Sequence, residues 1–336
     1  MKYRVLLYRF VLSIIALLLF ICILKWVADY RSRRSVMAEL QSISGVSFRA
    51  GPYHYGDFSY DEDAFEVVSE SPIPKWLRTI FGDEAFHDIT YARMYLNEKS
   101  SNIPKTFQLL SKLTKLKELS IVLYRDTPHA DTKRKEIICT QKELACLSEL
   151  KQLEVLLISG IDFRVDGFDC ILKNSELKTL RLDSCIVDIL SENYNQTETE
   201  GKKYFLENLS ITRAVFTSDA LPCFCSCSRL KNLELGFDGF ILRDQYCPSL
   251  TELFSKPQFM YQNKIDEILN WYPHLEILSL SGFIQVNDGF LQNLEEVKTL
   301  RRVDIYNCPV SKRGIELLRH SNSGLQLVCC PIDSHK

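Results

Sequence analysis

The chain has 336 residues, 46% of them hydrophobic and 25% charged, with a net charge of −2. That much apolar residue excludes an intrinsically disordered chain, which lacks the material for a core. The charge balance gives no reason to expect nucleic-acid binding, which wants a basic surface. Residues 1–34 nevertheless hold seven Lys/Arg and one acid (Asp29), so the remainder carries an acidic excess.

In chain order, the first element is apolar. Phe10 to Leu24 is interrupted only by Ser13, and the apolar character runs on through Trp26 to Ala28. A stretch of roughly 20 such residues matches the hydrocarbon core of a bilayer. Arg9 and Lys25 sit near its ends, where long side chains snorkel, and Tyr8 and Trp26 suit the two interfaces. The reading is an uncleaved single-pass anchor over 10–28 after a short tail over 1–9. The rival is a cleaved signal peptide; cleavage after Ala28 would put Trp26 where a small residue is wanted. Three basic residues precede the span and four follow it, a difference too small for the positive-inside rule to orient the chain.

Residues 29–69 read as a juxtamembrane helix and loop. The helix continues from Arg31 to Ser42, Gly45 ends it, and Val46-Ser-Phe48 opens a strand. Residues 70–97 read as an amino-terminal cap and first strand. Pro74 begins a helical turn, Trp76, Leu77 and Phe81 give it an apolar face, and Ile89 to Leu96 forms the strand.

From residue 98 onward the chain is a ladder. Leu113, Leu116, Leu119 and Ile121 set a spacing that returns at Leu150, Leu153, Leu156 and Ile158. In shortened form it recurs at Leu177-x-x-Leu180-x-Leu182, Leu206-x-x-Leu209-x-Ile211, Leu230-x-x-Leu233-x-Leu235, Leu275-x-x-Leu278-x-Leu280 and Leu300-x-x-Val303-x-Ile305. The intervals are 37, 24, 29, 24, 45 and 25 residues, and the short ones have the period of leucine-rich repeats. The 37 contains Arg125–Glu143, expected to be a loop pushed out of one coil. The 45 contains residues 244–273, an insertion or a degraded repeat around Leu250-x-x-Leu253. The last two leucines of each rung are two apart, so they share one side of a short strand while the residue between them faces the other way. One coil cannot bury its leucines alone, so neighbours stack and share a core. Asp288 to Val297 and Lys312 to Arg319 show helical spacing, giving helical returns in the late coils. The expected fold class is an α/β leucine-rich-repeat solenoid, a horseshoe with a parallel sheet on its concave face, behind one transmembrane helix.

Chemistry is sparse. No H-E-x-x-H, G-x-S-x-G, G-x-x-x-x-G-K-[ST] or G-x-G-x-x-G occurs. The six histidines are scattered. Of twelve cysteines, Cys185 and Cys308 fall at a repeat position that points into the coil and read as buried thiols. The run Cys223, Cys225, Cys227 lacks a C-x-x-C pair and a nearby His; it reads as structural thiols, with a metal or redox centre as the lesser reading. The sequon at Asn208 lies across a strand and reads as chance. No cofactor, metal or catalytic residue is expected, and the chain reads as a binding protein.

The pattern resembles a family of bacterial leucine-rich-repeat proteins with one amino-terminal membrane anchor. The resemblance rests on the anchor and its short helix ending near Gly45; on Pro74, Trp76, Leu77, Arg78, Gly82, Asp83 and Phe86 before the first strand; and on the late returns Val286-Asn-Asp-Gly-Phe-Leu and Pro309-Val-Ser-Lys-Arg-Gly-Ile-Glu-Leu-Leu. The middle coils depart from it, lacking a regular Thr-x-Ile-Thr-Asp turn. The resemblance implies membrane attachment and protein interaction, with no catalytic residues to carry over.

Binding is therefore expected on the open face of the sheet. The candidate residues are Arg181, Asp183, Ser210, Glu234, Ser279, Asp304 and Tyr306: charge-assisted contacts and an aromatic anchor for a protein partner. The alternative is an envelope or scaffold component that uses the convex side or the inserted loops. Neither reading identifies the partner or the side of the membrane.

Overall fold

The structure is a computed structural model. It describes residues 2–42, 46–50, 89–97, 103–124, 138–139, 141–164, 171–172, 174–188, 204–212, 215–216, 227–236, 269, 272–283 and 286–330. The expected cap around Trp76, most of the 244–273 insertion, and Cys223 and Cys225 lie outside these residues.

Helix α1 spans Lys2–Ser42 without a break. It therefore includes residues 2–9, drawn from the sequence as a tail. Within it, Phe10–Leu40 is long and apolar enough to cross a membrane. Strand β1 (Val46–Ala50) follows and pairs antiparallel with β2 (Ile89–Asn97).

Beyond β2 each rung of the ladder becomes a strand. After helix α2 (Ile103–Leu110) come β3 (Glu118–Tyr124), β4 (Ile138–Cys139), helix α3 (Gln141–Leu147), β5 (Val155–Ser159), β6 (Asp162–Arg164), β7 (Thr179–Asp183) and β8 (Ile186–Asp188). Then follow β9 (Asn208–Thr212), β10 (Val215–Phe216), β11 (Asn232–Gly236), β12 (Ile277–Ser281), helix α4 (Asp288–Leu294), β13 (Arg302–Tyr306), helix α5 (Lys312–Ser321) and β14 (Gln326–Cys330). The front sheet runs β1-β2-β3-β5-β7-β9-β11-β12-β13-β14. Its nine strands from β2 onward are parallel, and only β1 opposes its neighbour.

The register follows the leucines. Leu119, Leu156, Leu180, Leu209, Leu233, Leu278 and Val303 lie opposite one another in one row, as do Ile121, Ile158, Leu182, Ile211, Leu235, Leu280 and Ile305 in the next. All are buried, and they form a single core with Leu113, Leu116, Leu150, Leu153, Leu177, Leu206, Leu230, Leu275 and Leu300. Each fully buried leucine contributes about 2 kcal/mol by leaving water, so the stacked rows hold the coils together.

A second sheet lies after the front strands of the amino-terminal coils. Its order is β10-β8-β6-β4, all parallel. These two- and three-residue strands were not expected from the sequence. They also correct the reading of Arg125–Glu143 as all loop: 138–139 is strand, and Gln141 starts α3. That helix forms because Leu144 and Leu147, three apart, both bury in the core. The late coils return through α4 and α5, as their spacing predicts. Asn287 caps α4 by accepting from the Gly289 and Phe290 amides, and Ser311 caps α5 by accepting from the Gly314 amide.

Among the described residues, four front strands, β5, β7, β12 and β13, leave through a left-handed turn. Gly160, Ser184, Gly282 and Asn307 have φ of 75°, 53°, 79° and 52°. Two glycines and an asparagine suit that conformation, and Ser184 adopts it at some cost. The reversal turns the next residue inward: Ile161, Cys185, Phe283 and Cys308 are all buried. The Cys185 thiol donates to the Asp183 carbonyl at 3.1 Å, and the Cys308 thiol to the Tyr306 carbonyl at 3.2 Å. Burial pushes the Cys308 thiol up from its ordinary pKa, the behaviour of an inert packing thiol.

At the amino-terminal end, the last turns of α1 close the stack. Val36 and Leu40 belong to the core, and Lys105 of α2 bonds Glu39 at 2.5 Å. That bond holds the Glu39 carboxyl below its usual range.

Candidate functional site: the open face of the front sheet

The burial pattern of β5, β7, β9, β11 and β12 alternates along each strand. Residues on either side of the buried rungs therefore share the opposite face and stack from coil to coil in rows. One row is Leu157, Arg181, Ser210, Glu234, Ser279, Asp304 and Val328. A second is Ser159, Asp183, Thr212, Gly236, Ser281, Tyr306 and Cys330. Five of the seven candidate residues thus stand consecutively in one row. Asp183 and Tyr306 stand in the next, with three strands between them that carry Thr212, Gly236 and Ser281.

The candidates differ in what they already hold. Asp183 accepts from the Thr212 hydroxyl at 2.8 Å and from the Ser159 hydroxyl at 3.2 Å. Glu234 accepts from the Ser210 hydroxyl at 2.5 Å. Asp304 is 7% exposed, and both its oxygens accept from Arg302 Nε at 2.9 Å. Its carboxylate is turned to Arg302, whose own pKa rises in response. Arg181 is half-buried and makes no hydrogen bond or ion pair among the described residues. It lies in register between Leu157 and Ser210. Of the charges predicted for this face, it alone has no such partner among the described residues.

The sequence reading missed a third row. Tyr91, Glu118, Val155, Thr179, Asn208, Asn232, Ile277, Arg302 and Gln326 stack on the other side of the first. Asn232 donates its amide to the Asn208 side-chain oxygen, and Asn208 donates to the Thr179 hydroxyl at 3.0 Å. The signal was present, an asparagine directly before the strand leucine twice, 24 residues apart. At the amino-terminal end of this row, burial raises the Glu118 carboxyl to a pKa of about 7.

A further pattern runs along the residue just before this row. Those positions read Lys117, Glu154, Lys178, Glu207, Lys231, Glu276, Arg301, alternating in sign through seven coils. Their amides bond successive coils, from Glu154 to Lys117 through to Arg301 to Glu276. Their side chains pair: Lys117–Glu154 at 3.6 Å, Lys178–Glu154 at 2.8 Å, Lys231–Glu207 at 3.1 Å and Arg301–Glu276 at 3.6 Å. Each acid meets a base on the adjacent coil, the parallel-sheet form of a favourable cross-strand pair. The ladder is exposed and structural, and it reduces the charge the molecule presents along that rim.

Cys227, the described member of the cysteine run, is buried in the core. Among the described residues no three His, Cys, Asp or Glu side chains come together as a metal site needs. The open face itself is a row-and-column array of small polar side chains, with Leu157 and Val155 at one end and Tyr306 at the other. No family model matches the chain, and no curated protein matches it.

Proposed function

We propose that the chain is a single-pass membrane protein, anchored through residues 10–28, whose leucine-rich-repeat solenoid binds a protein partner on the concave face of its front sheet. The observation that carries this reading is the alignment of Arg181, Ser210, Glu234, Ser279 and Asp304 in one row across five consecutive parallel strands. A row of this kind gives an extended, regular surface of the sort solenoids use for binding. On this face Arg181 is the charged contact and Tyr306, in the neighbouring row, the aromatic anchor. Glu234, Asp183 and Asp304 hold their neighbours in place. A planar guanidinium with no partner among the described residues suits a carboxylate on the other protein. The reading assigns no catalytic role to any residue.

The test begins with a photo-crosslinker at Ser279 in the full chain, in its native membrane, to identify the partner. With the partner in hand, Arg181→Glu weakens the purified complex by about tenfold or more, the scale of an interface hot spot. An affinity unchanged by both Arg181→Glu and Tyr306→Ala overturns the assignment to this face. Protease protection of the solenoid in intact cells then assigns its side of the membrane.

A further inference from the structure

We propose that α1 is a rigid strut, which fixes the height and rotation of the solenoid above the bilayer, rather than a flexible tether. The proposal rests on the reading of residues 10–28 as a membrane anchor and adds what lies between anchor and coil.

Three observations carry it. Helix α1 is continuous over Lys2–Ser42, and that segment contains neither Pro nor Gly, the usual causes of a sharp kink. A flexible tether is dominated by Gly, Ser or Pro, whereas residues 29–42 hold no Gly or Pro and only three Ser, Ser32, Ser35 and Ser42.

Second, the exposure of the helix changes character past the apolar stretch. Phe10 is 64% exposed and Leu24 52%, as expected of side chains meant for lipid. Beyond Leu24 a single stripe withdraws from solvent. Trp26, Tyr30, Arg33 and Met37 are partly buried, and Val36 and Leu40 fully. The spacings of three and four place these residues on one face of the helix. On the other face Arg31, Ser35 and Ala38 stay exposed. The stripe ends inside the solenoid core and is pinned by Glu39 to Lys105 of α2.

Third, the stretch that leads from the end of the anchor towards the coil is braced internally. Trp26 stacks on Tyr30 with ring centroids 6.1 Å apart and planes 11° from parallel. Arg34 donates to the Tyr30 hydroxyl at 3.4 Å. These contacts tie together three successive turns in the stretch where a tether would be loose. From Ala28, the end of the anchor, to Val36 the helix rises roughly 12 Å at 1.5 Å per residue, which sets the gap between the anchor and the first fully buried contact with the coil.

The experiment uses the full chain in lipid. Hydrogen exchange in nanodiscs reads whether amides 25–42 behave as one helix. Neutron reflectometry on a supported bilayer reads the gap beneath the solenoid, for the native chain and for one with four alanines inserted after Ala28. A strut gives slow exchange from 25 to 42 and a gap that widens by about 6 Å on insertion. Rapid exchange anywhere in 29–35, or a gap that does not change, overturns the proposal. Flotation with vesicles separates the two levels. A chain that stays in the aqueous layer overturns the anchor reading and the strut with it, whereas a floating chain that fails the exchange or gap measurement overturns the strut alone.

Discussion

The coils from β3 to β10 and those from β12 to β14 share one front strand and part company behind it. In the first group the chain leaves the left-handed turn at Gly160 or Ser184 and first enters a two- or three-residue strand that pairs with its neighbours, and β4 of the same sheet leads on into helix α3. In the second it leaves the turn at Gly282 or Asn307 and enters a capped helix. The front strand is therefore a property of the leucine spacing alone. The return is decided by a few residues after the turn: Asn287 and Ser311, with side-chain oxygens for helix amides, against Asp162–Arg164 and Ile186–Asp188, which pair as strands. One solenoid thus tolerates two kinds of back because each coil needs only to cover its own rungs and match its neighbour.

The sharpest way to break the comparison is to open the core in each group. Leu180 and Ile305 are both fully buried, in β7 and β13. Leu180→Ala and Ile305→Ala each cost about 2–5 kcal/mol in denaturant unfolding, from lost burial and the cavity left behind. Their reach differs. Ile305 has β14 alone beyond its strand in the front sheet, so hydrogen exchange rises mainly over 286–330. Leu180 sits mid-stack, and its loss speeds exchange on both sides. Identical exchange maps for the two variants would mean that both groups of coils unfold as one unit.

A pH profile separates the groups next. The Glu118 carboxyl of β3 has its pKa raised by burial from 4.5 to about 7. A raised acid binds more protons folded than unfolded, so stability is greatest at low pH and is lost as pH climbs from about 4.5 through 7. Partial solvent access screens the effect, leaving on the order of 1–2 kcal/mol. Glu118→Gln flattens that slope and stabilises the protein at pH 8. A slope that survives the substitution assigns it to another group.

The helical returns have their own weak point. Ser311 accepts from the Gly314 amide at 3.0 Å and donates to Asp288 of the preceding helix at 2.5 Å. Ser311→Ala costs about 1 kcal/mol, with the loss of exchange protection confined to α5 and α4. Equal loss in the β4–β10 sheet would show that the two backs are coupled.

Much of this difference was legible in the sequence, and the illegible part has a physical reason. Seven rungs in phase specify a parallel sheet, because no other arrangement buries leucines two apart in every coil. The helical returns were readable because Phe290, Leu291 and Leu294, and Ile315 and Leu318, repeat at helical spacing. The second sheet was not, since Val215-Phe216 or Ile138-Cys139 is too short to carry a period. Its trace lay in comparison between coils: Ile161-x-Phe163 and Cys185-x-Val187 occupy the same place after their rungs. The candidate face was legible as a set of positions. Which of its charges were already engaged was not: Thr212 reaches Asp183 across strands through register, which spacing alone does not display, and Arg302, two residues before Asp304 on the same strand, shares its face without the spacing showing that the two bond.

The charge ladder runs through both groups of coils and tests what they hold in common. Glu154 stands between Lys117 at 3.6 Å and Lys178 at 2.8 Å. The Lys178 bond holds its carboxyl below the usual range, and Lys178 is raised in turn. The pair therefore stabilises above the ordinary carboxylate pKa, fades as pH falls through the lowered value, and fades again as pH rises through that of the lysine. Both partners are substantially exposed, so the pair contributes no more than about 0.2–1 kcal/mol. Glu154→Lys places three bases on adjacent coils and costs about twice one pair, because attraction is replaced by repulsion on both sides. The cost shrinks in 1 M salt, where the Debye length is about 3 Å. Arg301→Glu makes the same change in the late coils, beside Glu276, and costs less, since Arg301 is the more exposed and has one acid within reach rather than serving two. If the two substitutions prove equal and insensitive to salt, the alternation contributes nothing through charge, and the stacking order of the coils rests on the leucines alone.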